Sequence, residues 1–140
     1  MLNLPFHTDD LFQSFFDNSP VCIWIKDTRN NLLKLNKAAA EFEGKSAEEL
    51  EGKSCYELYD RSIAEAFWVD DQEVINTGKP KLGYYEEHTT LEKGQKKWVQ
   101  VNKMPIRDKD EQITGVMVTA FDVTDLKVIE EQTRKKGGKE

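Results

Sequence analysis

The sequence predicts an α+β fold in which helices cover one face of a five-stranded antiparallel sheet. Five runs rich in β-branched and aromatic residues, at 21–26, 32–35, 82–91, 97–106 and 113–121, are bounded by turn formers. Helical patterns lie before, between and after these runs instead of alternating with single strands, which is the segregated order of an α+β domain. At 140 residues the chain is one domain's worth of sequence, long enough to bury roughly 68% of the surface its unfolded form exposes.

Taken in order, residues 8–20 (TDDLFQSFFDNSP) begin at a Thr or Asp N-cap, place Leu11, Phe12, Phe15 and Phe16 at helical spacing, and stop at Pro20. That apolar face needs a partner, either this domain's own sheet or a second copy of the chain. The runs at 21–26 and 32–35 flank Asp27-Thr28-Arg29-Asn30-Asn31 and read as a hairpin. Asn36 opens a helix through Phe42 that ends at Gly44, and Ser46 with Glu49 forms a capping box for a second short helix. A further turn is expected at 54–59. Asp60 or Ser62 starts a longer helix through Asn76, stopped by Gly78 and Pro80, with Ile63, Phe67, Val74 and Ile75 as its buried stripe. Ala64, Trp68 and Asp71 border that stripe, so one edge of it can face a cavity. Three strands follow, separated by Glu92-Lys93-Gly94 and by Asp108-Lys109-Asp110-Glu111. After Thr124 the pattern becomes helical again, with Leu126, Ile129 and Thr133 at 3 and 4 spacing; Gly137 and Gly138 suggest fraying. The expected organisation is an N-terminal cap helix at 1–19, a core domain at 20–123 and a linker or signalling helix from 124 to 140.

Composition narrows the function. A net charge of -6 repels a phosphate backbone, and no basic stripe offsets it, so a nucleic-acid partner is not expected. The longest apolar run is far short of the roughly 20 residues of a membrane span, which leaves a cytoplasmic protein without a membrane partner as the expectation. Two cysteines far apart and two histidines cannot supply a four-ligand structural zinc site. No catalytic constellation is present either. Glu87 and His88 are neighbours on a strand and point to opposite faces, and the acidic run at 108–111 reads as a solvated turn, so the chain is not expected to be an enzyme.

Several local signatures occur in a fixed order: Asn18-Ser19-Pro20, Asp27, Asn36-Lys37-Ala38-Ala39, Gly52-Lys53, Asp71, Thr77-Gly78-Lys79-Pro80, Pro105-Ile106-Arg107-Asp108, Gly115 and Asp122-Val123-Thr124. Together they resemble the PAS domain, in the subgroup with a PAC motif, over residues 11–127. The resemblance implies a sheet of spatial order 2-1-5-4-3, helices over a central pocket, and flanking helices that mediate homodimers. It also implies a sensory role upstream of an effector such as a histidine kinase or a cyclic-dinucleotide enzyme.

Strand alternation, with Pro105 aligned on the family pattern, turns Val99, Val101 and Lys103 inward from the fourth strand and Val116, Val118 and Ala120 from the fifth. Cys55, Tyr56, Trp68 and Tyr85 are expected to complete the pocket. Lys103 is a cation on an otherwise apolar face; it either binds a carboxylate ligand or snorkels to water or pairs with an acid. No cofactor is assigned. Gly52-Lys53-Ser54-Cys55 places a thiol where the flavin-binding light sensors of the family carry theirs. However, Tyr56-Glu57-Leu58, Val99 and Ala120 replace the residues that contact the flavin, and unpaired ring polar atoms would cost about 1–3 kcal/mol each. Haem-binding members use a histidine on the long helix, where this chain has none, and His88 reads as a solvated or hydrogen-bonded imidazole. Asp122, Val123 and Thr124 are the expected relay into the terminal helix, with Asp122 or Thr124 capping it.

The leading expectation is a sensory domain that responds to a small ligand and relays its state to an effector. The alternatives are a homodimerisation module with a self-filled pocket, joined through Leu11, Phe12, Phe15, Phe16 and the terminal helix, and a redox switch at Cys55, which requires an exposed thiol of lowered pKa.

Overall fold

The computed structural model describes residues 3–137. Helix α1 (Thr8–Asn18) leads into the hairpin β1 (Cys22–Lys26) and β2 (Asn31–Leu35). Asp27 builds the turn between them, its Oδ1 accepting from the backbone N–H groups of Arg29 and Asn31 at 2.8 and 3.0 Å. Asn30 takes the left-handed conformation there (φ 64°), which asparagine tolerates better than most residues.

Next come α2 (Lys37–Glu43), α3 (Ala47–Leu50), a two-residue strand β3 (Lys53–Ser54), α4 (Cys55–Leu58) and the long α5 (Arg61–Thr77). Asn36 is fully buried and caps α2 by accepting from Ala39 N. Its side chain also accepts from Ile23 N and donates to the carbonyls of Phe16 and Val21, so one amide joins α1, β1 and α2. Ser46 and Ser54 cap α3 and α4. Two caps differ from the sequence expectation. The residue preceding α1 is His7, without a side-chain cap bond, and Asp60 precedes α5 without one either. Neither helix end is buried, so water can satisfy it.

Strands β4 (Lys81–Thr89), β5 (Lys96–Arg107) and β6 (Ile113–Asp122) complete one sheet of order β3-β2-β1-β6-β5-β4, and α6 (Thr124–Gly137) leaves its end. Apart from β3, this is the expected five-stranded order. The sixth strand exists because Lys53 and Ser54 extend alongside Leu32 and Asn31. Every neighbouring pair is antiparallel.

Register fixes the inner face of the sheet in rows. Trp24, Val118 and Lys103 lie side by side across β1, β6 and β5. On one side of that row lies Cys22, Ala120, Val101 and Tyr84, and on the other Lys26, Val116 and Pro105. Gly115 lets β1 and β6 come this close, because a Cβ there would stand 2.5 Å from the Lys26 carbonyl oxygen.

The expected stripe on α5 is displaced. Ala64, Asp71 and Val74 are its fully buried residues, while Ile63, Phe67 and Ile75 are half-buried. The side chain of Ile129 and residues 138–140 lie outside the described residues, and with them part of the expected terminal-helix pattern. No helix among the described residues is long and apolar enough to cross a membrane.

Candidate functional site

Between the helices and the inner face of the sheet lies a cavity of about 50 Å³. Its floor is aliphatic and small, made by Val99, Val101, Val118 and Ala120. Cys55 and Lys103 also line it, as the sequence anticipated. The sequence did not point to the rest of the wall: Trp24, Lys26, Leu32, Phe42, Tyr59, Phe67, Glu86 and His88.

Four sequence candidates lie elsewhere. Tyr56 follows Cys55 on α4, and the turn of the helix leaves it 40% exposed while Cys55 is 3% exposed. Tyr85 is 59% exposed because Tyr84, Glu86 and His88 take the inward positions of β4. The parity is set after an irregularity between Lys81 and Tyr84, where Gly83 has φ +68°. Trp68 is half-buried and does not line the cavity, whereas its neighbour Phe67 does. Val116 is fully buried, but it sits in the row of Lys26 and does not line the cavity.

The dominant electrostatic feature is a buried trio. Asp71 on α5 accepts from Lys26 Nζ at 2.5 Å through Oδ2 and from Lys103 Nζ at 2.6 Å through Oδ1. The side chains are 0%, 5% and 3% exposed. Lys26 also donates to Asn30 Oδ1 at 2.6 Å, and Lys103 to the Phe67 carbonyl at 3.3 Å. Both ammonium groups lie 5.6 Å from the Phe67 ring centroid, within range of its π face. Two cations on one carboxylate leave the cluster with a positive excess. Thus Lys103 neither snorkels nor stands alone; it pairs with an acid at the cavity wall.

A second buried polar group involves the cavity residues His88 and Tyr59. Glu43, the last residue of α2 and 0% exposed, receives His88 Nε2 at 2.9 Å on Oε1 and the Tyr59 hydroxyl on Oε2. The His88 ring lies among Phe42, Phe67 and Tyr59 at 5.4, 6.0 and 5.8 Å between centroids. Burial, followed by the Glu43 charge, raises the Tyr59 phenol well above its ordinary range, so it stays a hydrogen-bond donor. Burial also pushes the Glu86 carboxyl up, an effect that attraction to Lys103 reduces without cancelling. Among the described residues, two buried side-chain polar atoms find no protein partner: Trp24 Nε1 and the Tyr84 hydroxyl.

The thiols do not suit a redox switch. Cys55 is buried and burial raises its thiol pKa, while Cys22 is pushed up to about 12, first by burial and then by the charge of Glu43. Both are the reverse of a reactive thiolate. No group of three or more His, Cys, Asp or Glu side chains among the described residues could hold a metal ion.

The proposed relay residues form a joint between sheet and helix. Val123 N donates to the Trp98 carbonyl at 2.8 Å, and Trp98 N donates to Thr124 Oγ1 at 2.9 Å. Asp122 Oδ1 accepts from Thr124 N at 3.0 Å, so Asp122 supplies the cap while Thr124 ties α6 to β5. In α1, Leu11, Phe12 and Phe15 are 47%, 47% and 63% exposed, but Phe16 is 1% exposed. The α1 face is therefore split, because Phe16 anchors the helix to its own domain.

A protein-family model described as the PAS fold matches residues 16–128. The chain belongs to the PAS family. No curated protein matches its sequence. Among solved structures, the PAS domain of a Colwellia psychrerythraea protein superposes with a TM-score of 0.68 at 19% identity, covering 85% of this chain and 99% of that one. That likeness concerns the fold. The Vibrio cholerae VqmA dimer is similar with a TM-score of 0.73 at 26% identity, covering 86% of this chain and 53% of VqmA. VqmA bound to DPO has a TM-score of 0.70 at 25% identity, covering 82% of this chain and 57% of that one. This chain therefore spans just over half the length of VqmA.

Proposed function

We propose that the chain is a cytoplasmic sensory module, itself without catalytic activity. Its cavity takes a small ligand, and α6 passes the occupied or empty state to an effector domain, such as a histidine kinase of a two-component system or a cyclic-dinucleotide enzyme. The observation that carries this reading is the composition of the cavity wall. Two buried ammonium groups and an unpartnered indole N–H border an aliphatic space, and polar groups kept in such a place without full pairing cost stability unless something else binds there. The likeness to VqmA, which is seen bound to DPO, supports it. The acidic excess argues against direct nucleic-acid contact by this domain. Native mass spectrometry of the purified chain, beside its denatured spectrum, tests the reading. A mass excess that disappears on denaturation is expected; a bare mass that persists after exposure to a metabolite extract would overturn it.

The exposed apolar face of α1 favours a second role, homodimerisation through Leu11, Phe12 and Phe15. Phe15→Asp should yield a monomer by light scattering if that face joins two copies, and leave the mass unchanged if it does not.

A further inference from the structure

We propose that the cavity recognises a short monocarboxylate, held at its lysine end by hydrogen bonds from Lys103 and Trp24 and by the charge of Lys26; this rests on the ligand-binding reading above. An ammonium group has three hydrogens to donate. Lys26 directs two of them to Asn30 and Asp71 and also bonds the Cys55 thiol, whereas Lys103 directs two to Phe67 and Asp71, which leaves Lys103 with one N–H for a further acceptor. Trp24 Nε1–H is a second donor without an acceptor, on a residue 9% exposed that lines the same cavity.

These donors converge through the register of the sheet. Trp24 and Lys103 flank Val118 in one row, their backbones two strand spacings or roughly 10 Å apart. A carboxylate above Val118 presents one oxygen to each side. Its charge also answers the excess left by two cations on one carboxylate. Glu86, which would repel an anion, pairs with Val99 two rows from Lys103, at the other end of the floor. The pressure of burial on its carboxyl toward neutrality lessens that repulsion. Size limits the ligand. Engineered apolar cavities of about 150 Å³ hold the six carbons of benzene, so about 50 Å³ suits roughly two or three heavy atoms; formate matches that size, and longer carboxylates need the wall to give.

The test is an NMR titration of the whole chain with formate, acetate and propionate, each beside its amide and beside ethylammonium, at ionic strength matched with sodium chloride. The readout is the indole N–H resonance of Trp24, assigned by its loss in Trp24→Phe. A saturable shift with carboxylates about tenfold tighter than with amides is expected, since charge-assisted hydrogen bonds exceed neutral ones by that margin. Lys103→Met, which keeps the Lys26–Asp71 pair, should abolish the shift while its spectrum stays folded. Equal binding of amides, binding of ethylammonium instead, or unchanged acetate binding by folded Lys103→Met would overturn the carboxylate inference and leave the ligand-binding reading standing. Silence of the Trp24 resonance toward every probe would overturn the inference, and a bare native mass beside that silence would end the broader reading too.

Discussion

Removing the charge of Asp71 should unfold this domain more readily than removing either lysine. In Asp71→Asn, Lys26 and Lys103 remain in a site where both are at most 5% exposed, with a neutral amide in place of the anion. At 2.6 Å and an effective dielectric near 20, each ion pair is worth about 6 kcal/mol of attraction before desolvation is charged against it. Desolvation of three ions offsets most of that sum, so the intact trio adds little net stability. Deleting the shared partner is different, because the two cations then keep their desolvation cost and repel one another. Loss of a buried partner costs about 3–5 kcal/mol, and the upper end is expected here because two charges are stranded. That is a large part of the 5–15 kcal/mol typical of a whole domain. Lys103→Met, which leaves a one-to-one pair, should fall within about 1 kcal/mol of the parent. Urea unfolding followed by tryptophan fluorescence measures both variants. A loss of under about 1 kcal/mol in Asp71→Asn, or a larger loss in Lys103→Met, would refute the picture of a dry, cation-rich cluster.

Three further outcomes follow from particular contacts. Because burial raises the Glu86 carboxyl, stability from its protonated form is complete below the ordinary glutamate pKa and lost as pH rises through the folded-state value. Glu86→Gln should therefore be more stable than the parent at pH 7 and lose that advantage toward about pH 4, near the ordinary glutamate value; a pH-independent difference in urea midpoints would contradict it. Gly115→Ala forces a methyl to within 2.5 Å of the Lys26 carbonyl and should lower stability by about 1–3 kcal/mol, read as a thermal shift by calorimetry. Thr124→Ala removes the acceptor of Trp98 N and should speed hydrogen exchange at that amide and in the first turn of α6, with global stability reduced by about 1 kcal/mol or less.

The sheet was legible because each strand carries local information: alternation, β-branched content and turn residues such as Asp27 and Asp108. The same alternation, phased by the family resemblance through Pro105, placed Val99, Val101, Lys103, Val116, Val118 and Ala120 on the inner face. It failed at Tyr85 because an irregularity beside Gly83 sets the parity of β4, and nothing in the alternation of Tyr84 to His88 reveals which of the two sets turns inward. The trio was hidden for another reason. Lys26, Asp71 and Lys103 are separated by 45 and 32 residues from partner to partner, and no periodicity within one element encodes such a pairing. A useful signal was present: a lysine on the inward parity of an apolar strand, at both 26 and 103, asks for an anion, and Asp71 stands near the edge of the apolar face of α5. Likewise, Glu86 and His88 share a strand face, which would have drawn attention to β4 had Glu86 been weighed instead of Glu87.

The trio also has a mechanical meaning. Lys26 and Lys103 rise from β1 and β5, the strands on either side of β6, and both reach the same carboxylate on α5. The helix is moored to the sheet by two lines that pull from opposite quays. While both are fast, α5 has no preferred direction in which to drift. Replacing Lys26 or Lys103 alone would slacken one line and leave the other taut, so the two single variants should let the helix settle toward opposite sides of β6.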